Sequence, residues 1–555
     1  MPCSDDVPND CDNPDPLSSF MSLNPTLRPR TQRHLQKAQR RKKEVLAETI
    51  LKAGEAKSAQ TAAEVAAAMA VTHAQLTEAE LANWRRDMEA RLDQIQQHPE
   101  QNLGFIEEEL ARGSREPLRL LAQRSAQAKA NATPCQCSRC HIPLQRVQVL
   151  RRWIDSRFGR LQIYRGYGWC PECQTWSFPA DLALGLNKNS PASPYLQEVT
   201  ALLNTKMPSE QAVEVARRFG LELSRCFIHR EAHRQGLKAE QARKNHLAQL
   251  DTWEQIQALA AAQEGPASAP FTLVIEIDAW NIRERDDWGR SEQARQEALR
   301  QNKEAPSKWH WVYVATVFRL DHRGQTAGGR PIISQRGYVC TRLGIADLMR
   351  QLYRQAIDCG LGQTRDVLVI ADGALWIWNA AQDRFPHARC RLDLYHADEH
   401  LWGIAHELYG KDTPEASQWL QPVLKQLHQD NSAAVIQSLQ DVADQVKDKL
   451  QEKVQAQITY FENNQNRINY RAILAARKAV KKGNATQDQK LKASEPLGSG
   501  AIESTCRQYQ GRFKRTGQFW SMVGDEALMC LETFWRNGRW HDLFPHAKPP
   551  SLANN

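Results

Sequence analysis

The chain has 555 residues, of which 41% are hydrophobic and 25% charged, and its 73 Lys and Arg outnumber its 64 Asp and Glu to give a net charge of +9. This balance is that of an ordinary folded protein and excludes collagen-like, coiled-coil-rod and wholly disordered chains. No apolar run predicts a membrane-spanning helix, and the acidic first 20 residues are unlike a secretory signal. We therefore expect a cytoplasmic protein with no membrane partner, whose 13 cysteines do not form a disulfide framework.

The N-terminal quarter of the chain is predicted to carry a tail, a basic arm and a helical region. Within residues 1–43, the first 27 are rich in Pro, Asp, Asn and Ser, which is typical of a disordered tail. Between Arg28 and Lys43, eight of 16 residues are Lys or Arg and none is acidic. This arm either follows DNA phosphates or forms the solvated basic face of a helix. Residues 44–132, rich in Ala, Glu, Gln and Leu, predict two or three amphipathic helices.

Residues 133–180 contain two Cys-x-x-Cys pairs that flank a candidate β-hairpin. The stretch between the pairs alternates apolar and polar residues, and residues 156–159 are predicted to close the hairpin. Two such pairs can place four thiolates around one tetrahedral Zn²⁺, which leaves no open coordination position and makes the ion structural. Cys135 competes with the first ligand, and a redox Cys pair is the alternative reading. The predicted zinc ligands of this ribbon are Cys137, Cys140, Cys170 and Cys173.

Residues 190–262 are predicted to be helical and to include a helix-turn-helix. A short helix ends near Gly220, and a second helix runs from Arg225 to Gln235, with Phe219 among the apolar residues expected to pack between them. A basic second helix after a short turn is typical of DNA-reading elements, although a plain helical linker has the same pattern. The predicted DNA-binding residues of the second helix are Arg225, His229, Arg230 and Arg234.

From residue 268 the sequence predicts an α/β domain. A periodic helix, Ile345–Cys359, precedes the fourth of five β-branched and aromatic runs. Residues 398–495 return to a helical composition, and a turn at Pro496–Gly500 starts one more helix within residues 496–545, before a tail at 546–555. The predicted strands are Phe271–Asp278, Trp309–Leu320, Pro331–Cys340, Asp366–Asp372 and Ala388–Tyr395.

Three acids stand in positions that predict a metal site. Asp278 and Asp372 each end an apolar strand, and Glu503 lies in the first turn of the late helix. Acids at the ends of neighbouring strands can form an oxygen cage for Mg²⁺ or Mn²⁺, and two such ions support in-line phosphodiester attack. Each acid also has a plain structural reading, as a strand-end acid, a turn residue or a charge at a helix N-terminus. Glu276, two residues before Asp278, is a rival metal ligand.

Four blocks of the second half resemble the DDE transposases of bacterial insertion sequences. The resemblance covers about residues 270–545 and is nearest to the Kra-type family of the Mutator-like group. The blocks are Val369–Trp378, Phe385–His396, Tyr460–Asn464 with Arg467 and Tyr470, and Gly498–Ser504. It implies an RNase H-like (retroviral-integrase-type) catalytic domain over residues 268–397, an all-helical insertion over 398–495, and catalytic residues Asp278, Asp372 and Glu503.

The resemblance also implies accessory positions and partners. Asp393 and His396 are similar to an Asp-x-x-His element that follows the second acid in Mutator-like enzymes, with a strand-end Asp and a core-facing His as the alternative. Independently of the resemblance, Arg507, one turn after Glu503, and Lys514 are predicted to hold DNA phosphates, with a basic surface helix as the alternative. We expect a nucleoid-associated bacterial transposase that binds double-stranded DNA as a homodimer or larger assembly. The alternatives are an RNase H-like nuclease or resolvase, a non-catalytic DNA-binding protein derived from a transposase, and a zinc-organised scaffold.

Overall fold

The computed structural model describes residues 76–98, 102–188, 190–262, 270–284, 296–301, 309–328 and 331–546. The predicted tail and basic arm (1–43), the first part of the 44–132 helical region and all but the first residue of the 546–555 tail lie outside these ranges. The chain divides into two units. The first comprises the residues up to Thr200 together with Ala212–Glu231, and the second comprises Ala201–Gln211 and the residues from Ala232 onward.

The first unit contains a three-stranded antiparallel sheet and the helices that flank it. Strand β2 lies between β1 and β3, and the β1–β2 turn occurs where the sequence predicts it, with Gly159 at φ 124°. Helix α2 packs on β2 because Gln127 exchanges hydrogen bonds with the backbone NH and C=O of Tyr164 (2.8 and 2.9 Å). The elements are α1 (Glu78–Gln96), α2 (Leu103–Ala132), β1 (Gln145–Ser156), β2 (Gly159–Cys170), β3 (Thr175–Ser177) and α3 (Pro179–Ala183).

Four helices follow, and they include the predicted helix-turn-helix. The turn contains Gly220 at φ 72°, and the Ser224 hydroxyl accepts a hydrogen bond from the NH of Phe227 (3.1 Å) at the start of the second helix. That helix continues well beyond Gln235. The prediction that Phe219 packs between the helices is wrong: Phe219 is 79% exposed because it lies past the end of its helix, in the turn. The helices are α4 (Pro194–Lys206), α5 (Ser209–Arg218), α6 (Arg225–Leu247) and α7 (Trp253–Ala262).

The second unit contains a mixed five-stranded sheet with the strand order β10-β9-β4-β5-β8. Strands β9 and β10 run parallel to β4, whereas β5 is antiparallel to both β4 and β8. The predicted strand Pro331–Cys340 is wrong as one element, because its first part pairs with β6 in a separate hairpin. The strands are β4 (Leu273–Arg283), β5 (Trp309–Arg319), β6 (Arg323–Gln325), β7 (Pro331–Ile333), β8 (Gly337–Thr341), β9 (Val367–Ala371) and β10 (Arg389–Leu392).

Side chains alternate across this sheet, so the two faces of β4 pack against different helices. Leu273, Ile275 and Ile277 belong to a core shared with α8 (Ile345–Asp358) and α9 (Leu375–Arg384). Trp280 and Ile282, on the other face, pack against the helices that follow residue 500. Both faces are therefore covered by helices, which is typical of sheets with apolar parallel strands.

A run of six helices separates β10 from the Glu503 helix, which agrees with the helical composition of residues 398–495. The predicted strand Ala388–Tyr395 ends early, at Leu392, because Asp393 starts the next helix as its N-cap. No helix in the described ranges is both long and apolar enough to cross a membrane. The helices are α10 (Leu394–Tyr409), α11 (Pro414–His428), α12 (Ser432–Ala443), α13 (Asp448–Asn464), α14 (Arg471–Lys481), α15 (Gln487–Ser494), α16 (Gly500–Phe513), α17 (Met522–Arg536) and α18 (Trp540–Leu543).

A buried arginine ties β10 to the middle and to the end of this helical run. The Arg391 guanidinium donates to Asn469 Oδ1 (2.6 Å), to the Pro496 carbonyl (2.8 Å) and to Glu495 Oε2 (2.7 Å). Arg391 is 1% exposed and Glu495 is 7% exposed, so this charge pair is shielded from water. Removing one member of a buried pair leaves the other charge without its compensation.

We predict that Arg391→Met destabilises the second unit by about 3 kcal/mol, the lower end of the range for breaking a buried pair, since Lys492 still contacts Glu495 (3.0 Å). Urea unfolding followed by tryptophan fluorescence measures the change. The control is Arg389→Met on the same strand, where the side chain is 40% exposed and the expected cost is under about 1 kcal/mol. Equal effects of the two substitutions would contradict the role given to Arg391.

Candidate functional site

Asp278, Asp372 and Asp393 lie at matching positions along the neighbouring parallel strands β4, β9 and β10. The pairing of β4 with β9 ends two residues before Asp278 on one strand and two residues before Asp372 on the other. The pairing of β9 with β10 ends one residue before Asp372 and one residue before Asp393. Because parallel strands share one direction, all three acids follow the last paired residues at the same edge.

The prediction that Asp278 ends its strand is wrong. Strand β4 continues to Arg283, because its antiparallel pairing with β5 is unbroken from Leu273 to Arg283. Only the parallel neighbour β9 stops at this level, and its end leaves one side of β4 uncovered beside Asp278. The acid therefore lies at the edge of the parallel part of the sheet while its backbone stays inside a strand.

The Asp278 carboxyl is partly buried and has few compensating partners. Its Oδ1 accepts a hydrogen bond from the NH of Ala279 (2.7 Å), and its Oδ2 lies 3.4 Å from the Cys506 thiol, which donates to it. Burial raises the pKa of Asp278, the Ala279 NH opposes this rise, and the charge of Asp372 adds to it. A bound cation would stabilise the ionised form of a carboxyl that is buried beside another acid.

Asp372 is held by the turn that follows β9 and by the helical run. Its Oδ1 accepts from the NH of Ala374 (3.0 Å), and its backbone carbonyl accepts from the Tyr460 hydroxyl (2.8 Å). Gly373 has φ 108°, and a Cβ there would lie 2.6 Å from the Tyr460 ring, so only glycine fits between the strand end and helix α13.

Glu503 lies on helix α16, and its side chain is 51% exposed. One turn later on the same helix, Cys506 contacts Asp278, so α16 brings the Glu503 face toward the acid on β4. Burial raises the pKa of the Cys506 thiol, and the charges of Asp278 and Glu503 add to the rise. The three predicted acids do not form a tight group: among the described residues, the one group of three or more His, Cys, Asp or Glu residues whose ligand atoms all lie within 4.8 Å of one another consists of four cysteines.

Glu276 holds the start of the Glu503 helix. It is 1% exposed, and its Oε2 accepts a hydrogen bond from the NH of Ile502 (2.7 Å) in the first turn of α16. Burial raises the pKa of Glu276 to about 8. Through its hydrogen bond to Ile502, the Glu276 carboxyl positions the helix that carries Glu503.

Asp393 also has a structural role, because it accepts hydrogen bonds from the residue that precedes α16. Its Oδ1 accepts from the backbone NH groups of Tyr395 (2.7 Å) and His396 (3.1 Å), which caps α10. Its Oδ2 accepts from both the NH (2.6 Å) and the hydroxyl (2.5 Å) of Ser499. The His396 side chain is 44% exposed and its Nδ1 lies 3.7 Å from Glu399, so it is not a core-facing histidine.

Sequence reasoning missed the contacts of Cys506 and Tyr460. Cys506 belongs to no sequence motif, although its position three residues after Glu503 places it on the same helical face. Tyr460 lies in one of the segments that resemble DDE transposases. Nothing in the neighbouring sequence indicates that its hydroxyl donates a hydrogen bond to the backbone carbonyl of Asp372, 88 positions away. Its ring also stacks on His400, with centroids 4.1 Å apart.

The predicted DNA-binding residues lie on two helices and their ends. Arg225, His229 and Arg230 are exposed on α6, and Arg234 is half-buried there. On α16, Arg507 is 81% exposed and lies 3.4 Å from Glu503. Lys514 follows the end of α16 and is exposed, with its Nζ 5.9 Å from the ring centroid of Trp309.

The predicted cysteine ligands lie together in the first unit. Their Sγ atoms all lie within 4.8 Å of one another, with 3.8 Å between Cys137 and Cys173 and 3.4 Å between Cys140 and Cys170. Four Zn–S bonds of about 2.3 Å in a tetrahedron place the sulfur atoms about 3.8 Å apart, so the group could hold zinc. Cys135 is exposed and is not part of the cluster, which resolves the choice of the first ligand.

The electrostatics of the cluster also fit a metal cation. Backbone NH groups of Cys140 and Arg139 lower the pKa of Cys137 to about 6. Hydrogen bonding to Cys140 is the largest of several contacts that raise the pKa of Cys173 to about 12. Four neighbouring thiols cannot all ionise unless a cation compensates their charge, which is the condition that Zn²⁺ satisfies.

Comparison with known proteins bears on the second unit. The model of an uncharacterised protein family (UPF0236) matches residues 355–542. The match includes Asp372 and Glu503 but begins after Asp278. No curated protein matches the chain significantly.

We predict that the purified chain binds about one zinc ion and that Cys140→Ser together with Cys173→Ser reduces the zinc content about tenfold, because two of four ligands are lost. Elemental analysis after dialysis measures the ratio of zinc to protein, and the melting temperature of the first unit should fall with it. Cys135→Ser is the matched control and should keep its zinc. Zinc loss in that control, or zinc retained in the double variant, would sink the assignment.

Proposed function

We propose that the protein is a DNA transposase whose α/β sheet is an RNase H-like catalytic domain. The observation that carries the proposal is the level placement of Asp278 and Asp372 on neighbouring parallel strands, with the Glu503 helix packed over the same face of the sheet. Asp372 and Glu503 both lie within residues 355–542, which match the model of an uncharacterised family.

The acids suit divalent cations of the Mg²⁺ type. Asp278, Asp372 and Glu503 offer hard carboxylate oxygens, and burial, with the nearby charge of Asp372, raises the pKa of Asp278, which a bound cation would oppose. When bound, the ions would activate a nucleophile and stabilise the leaving oxygen of a phosphodiester. Of the three acids, Glu503 is the most exposed, so it has the most freedom to turn toward a bound ion.

The remaining residues of the site position these acids and the DNA. Glu276 and Asp393 hold the two ends of the turn into α16, and Tyr460 holds the backbone at Asp372. Arg507 and Lys514 extend from α16 as exposed cations that can contact phosphates near the acids. Water and then a freed 3′-OH serve as nucleophiles, so no covalent enzyme intermediate is needed.

We assign recognition of the two DNA ends of the insertion sequence to the first half of the chain. Arg225, His229 and Arg230 are exposed on α6 and are assigned contacts with DNA, and a zinc ion held by the four cysteines would stiffen the hairpin beside helix α2. Transposition joins two DNA ends to a target, so we propose a homodimer or larger assembly on DNA.

The proposal is tested with Asp278→Asn, Asp372→Asn and Glu503→Gln. Each variant should lower Mg²⁺-dependent DNA cleavage by at least about a thousandfold, because an amide cannot replace an anionic metal ligand. Cleavage and joining of 3′-OH ends are measured on duplexes from both flanks of the coding region, with Mg²⁺ or EDTA. The control is Asp383→Asn, an acid whose side chain is 77% exposed on α9, which should keep full activity.

The outcomes separate the rival functions. Cleavage without joined product would favour a nuclease or resolvase. A wild-type chain that binds these duplexes but neither cuts nor joins them would contradict the enzyme and favour a non-catalytic DNA-binding protein.

Glu276 gives a sharper test of roles within the site. If it positions α16, Glu276→Gln keeps an acceptor for the Ile502 NH and retains cleavage within about threefold of wild type, whereas Glu276→Leu removes the acceptor and lowers kcat by about tenfold or more. The same cleavage assay measures both. A Glu276→Gln variant as inactive as Asp278→Asn would make Glu276 a metal ligand instead.

A further inference from the structure

A groove of about 800 Å³ lies between helices α11 and α14 in the helical run. The two helices are joined at their ends: Asp430, just after α11, accepts hydrogen bonds from the NH groups of Tyr470 (2.5 Å) and Arg471 (3.1 Å) at the start of α14. The first turn of α14 is thereby fixed beside the last turn of α11. The groove is open to solvent along its length.

Among the described residues that line the groove, three are Lys or Arg and none is acidic. Lys425, Arg471 and Lys478 face it, and all three are exposed. None of them forms an ion pair with a carboxylate in the part of the chain that the structure describes. His428 also lines the groove, but its Nε2 is engaged by Asp398 (3.1 Å).

This lack of partners contrasts with the basic residues nearby. Arg389 is paired with Asp366 (2.8 Å), and Arg391 is paired with Glu495 (2.7 Å). Arg477, on the other side of α14, donates to the carbonyls of Ala493 (3.1 Å) and Glu495 (2.9 Å). The structural cations of this region are thus satisfied internally, and the cations of the groove are left for a partner of opposite charge.

The groove begins close to the acid-bearing edge of the sheet. Tyr470, the residue before α14, is buried, and its hydroxyl donates to the carbonyl of Leu392 (3.1 Å), next to Asp393. On α14, Arg471 and Lys478 are seven residues apart, which is about 10 Å along the helix axis. That distance equals about three steps of a DNA strand at roughly 3.4 Å each.

We propose that the groove formed by Lys425, Arg471 and Lys478 binds the phosphate backbone of duplex DNA. The inference rests on the proposed function for the identity of the polyanion, and on the unpaired cations for the existence of the site. The groove is open to solvent and its three cations are exposed, so it fits an extended polyanion rather than a small enclosed anion. It guides DNA that continues from the acids along the helical run.

The test compares a groove variant with a matched control. Lys425→Gln, Arg471→Gln and Lys478→Gln are combined, and the control combines Lys411→Gln, Lys447→Gln and Lys449→Gln, three exposed lysines of the same helical run that lie outside the groove. Both remove three positive charges from exposed positions. Binding to a duplex from the flank of the coding region is measured in EDTA by fluorescence anisotropy at several salt concentrations.

We expect the slope of log K against log salt to fall by about 3 in the groove variant, about 1 for each lost phosphate contact, and to stay unchanged in the control. A third variant with Lys425→Arg, Arg471→Lys and Lys478→Arg keeps the charges and should keep the slope. Equal slopes for the groove variant and the wild type overturn the proposal. An effect on duplex RNA of the same length but not on DNA overturns the assignment to DNA.

The binding assay does not depend on catalysis. Cleavage that is lost in the acid variants while the groove variant keeps its slope would remove only this inference. Absence of cleavage in the wild type, with a reduced slope in the groove variant, would remove only the transposase and leave a DNA-binding groove.

Discussion

The candidate site depends on two buried carboxyls that attach helix α16 to the sheet. Glu276 accepts the Ile502 NH, and Asp393 accepts both the NH and the hydroxyl of Ser499. An unpaired buried carboxyl is costly, so each hydrogen bond is strongly favoured once the sheet forms. Because Glu503 immediately follows Ile502 on α16, these bonds bring an acid from the far end of the chain to strands formed more than a hundred residues earlier.

The helical run between β10 and α16 is attached to the sheet beside the acids, so it does not disturb the attachment of α16. Tyr460 bonds to the carbonyl of Asp372, Tyr470 bonds to that of Leu392, and Arg391 bonds to the carbonyl of Pro496, after the run ends. A long segment between two parts of a site costs little closure entropy once its ends are fixed. The helices therefore supply extra surface near the acids without loosening them.

Local patterns predicted much of this architecture. Apolar strand runs located β5 and β9 to within a residue or two, and the Cys spacing identified the four thiols that lie together. The errors arose where partners distant in sequence decide: β4 is longer than predicted because β5 pairs along all of it, and the strand after Ala388 stops at an N-cap. The roles of Glu276 and Asp393 could not be read from periodicity, because an acid that accepts backbone NH groups has the same sequence pattern as a metal ligand.

Whether a basic side chain is paired inside the fold distinguishes structural residues from candidate binding residues more clearly than the net charge does. A surplus of nine positive charges is small for 555 residues, and many of the arginines near the sheet are consumed by internal carboxylates and carbonyls. Within the described ranges of the chain, the cations that form no such ion pair include Lys425, Arg471 and Lys478, which share one groove. Desolvated pairs such as Arg391 with Glu495 hold the fold and are insensitive to salt, whereas exposed unpaired cations gain most from a polyanion and are screened by salt. Salt dependence is therefore the property by which the two classes of basic residue can be told apart.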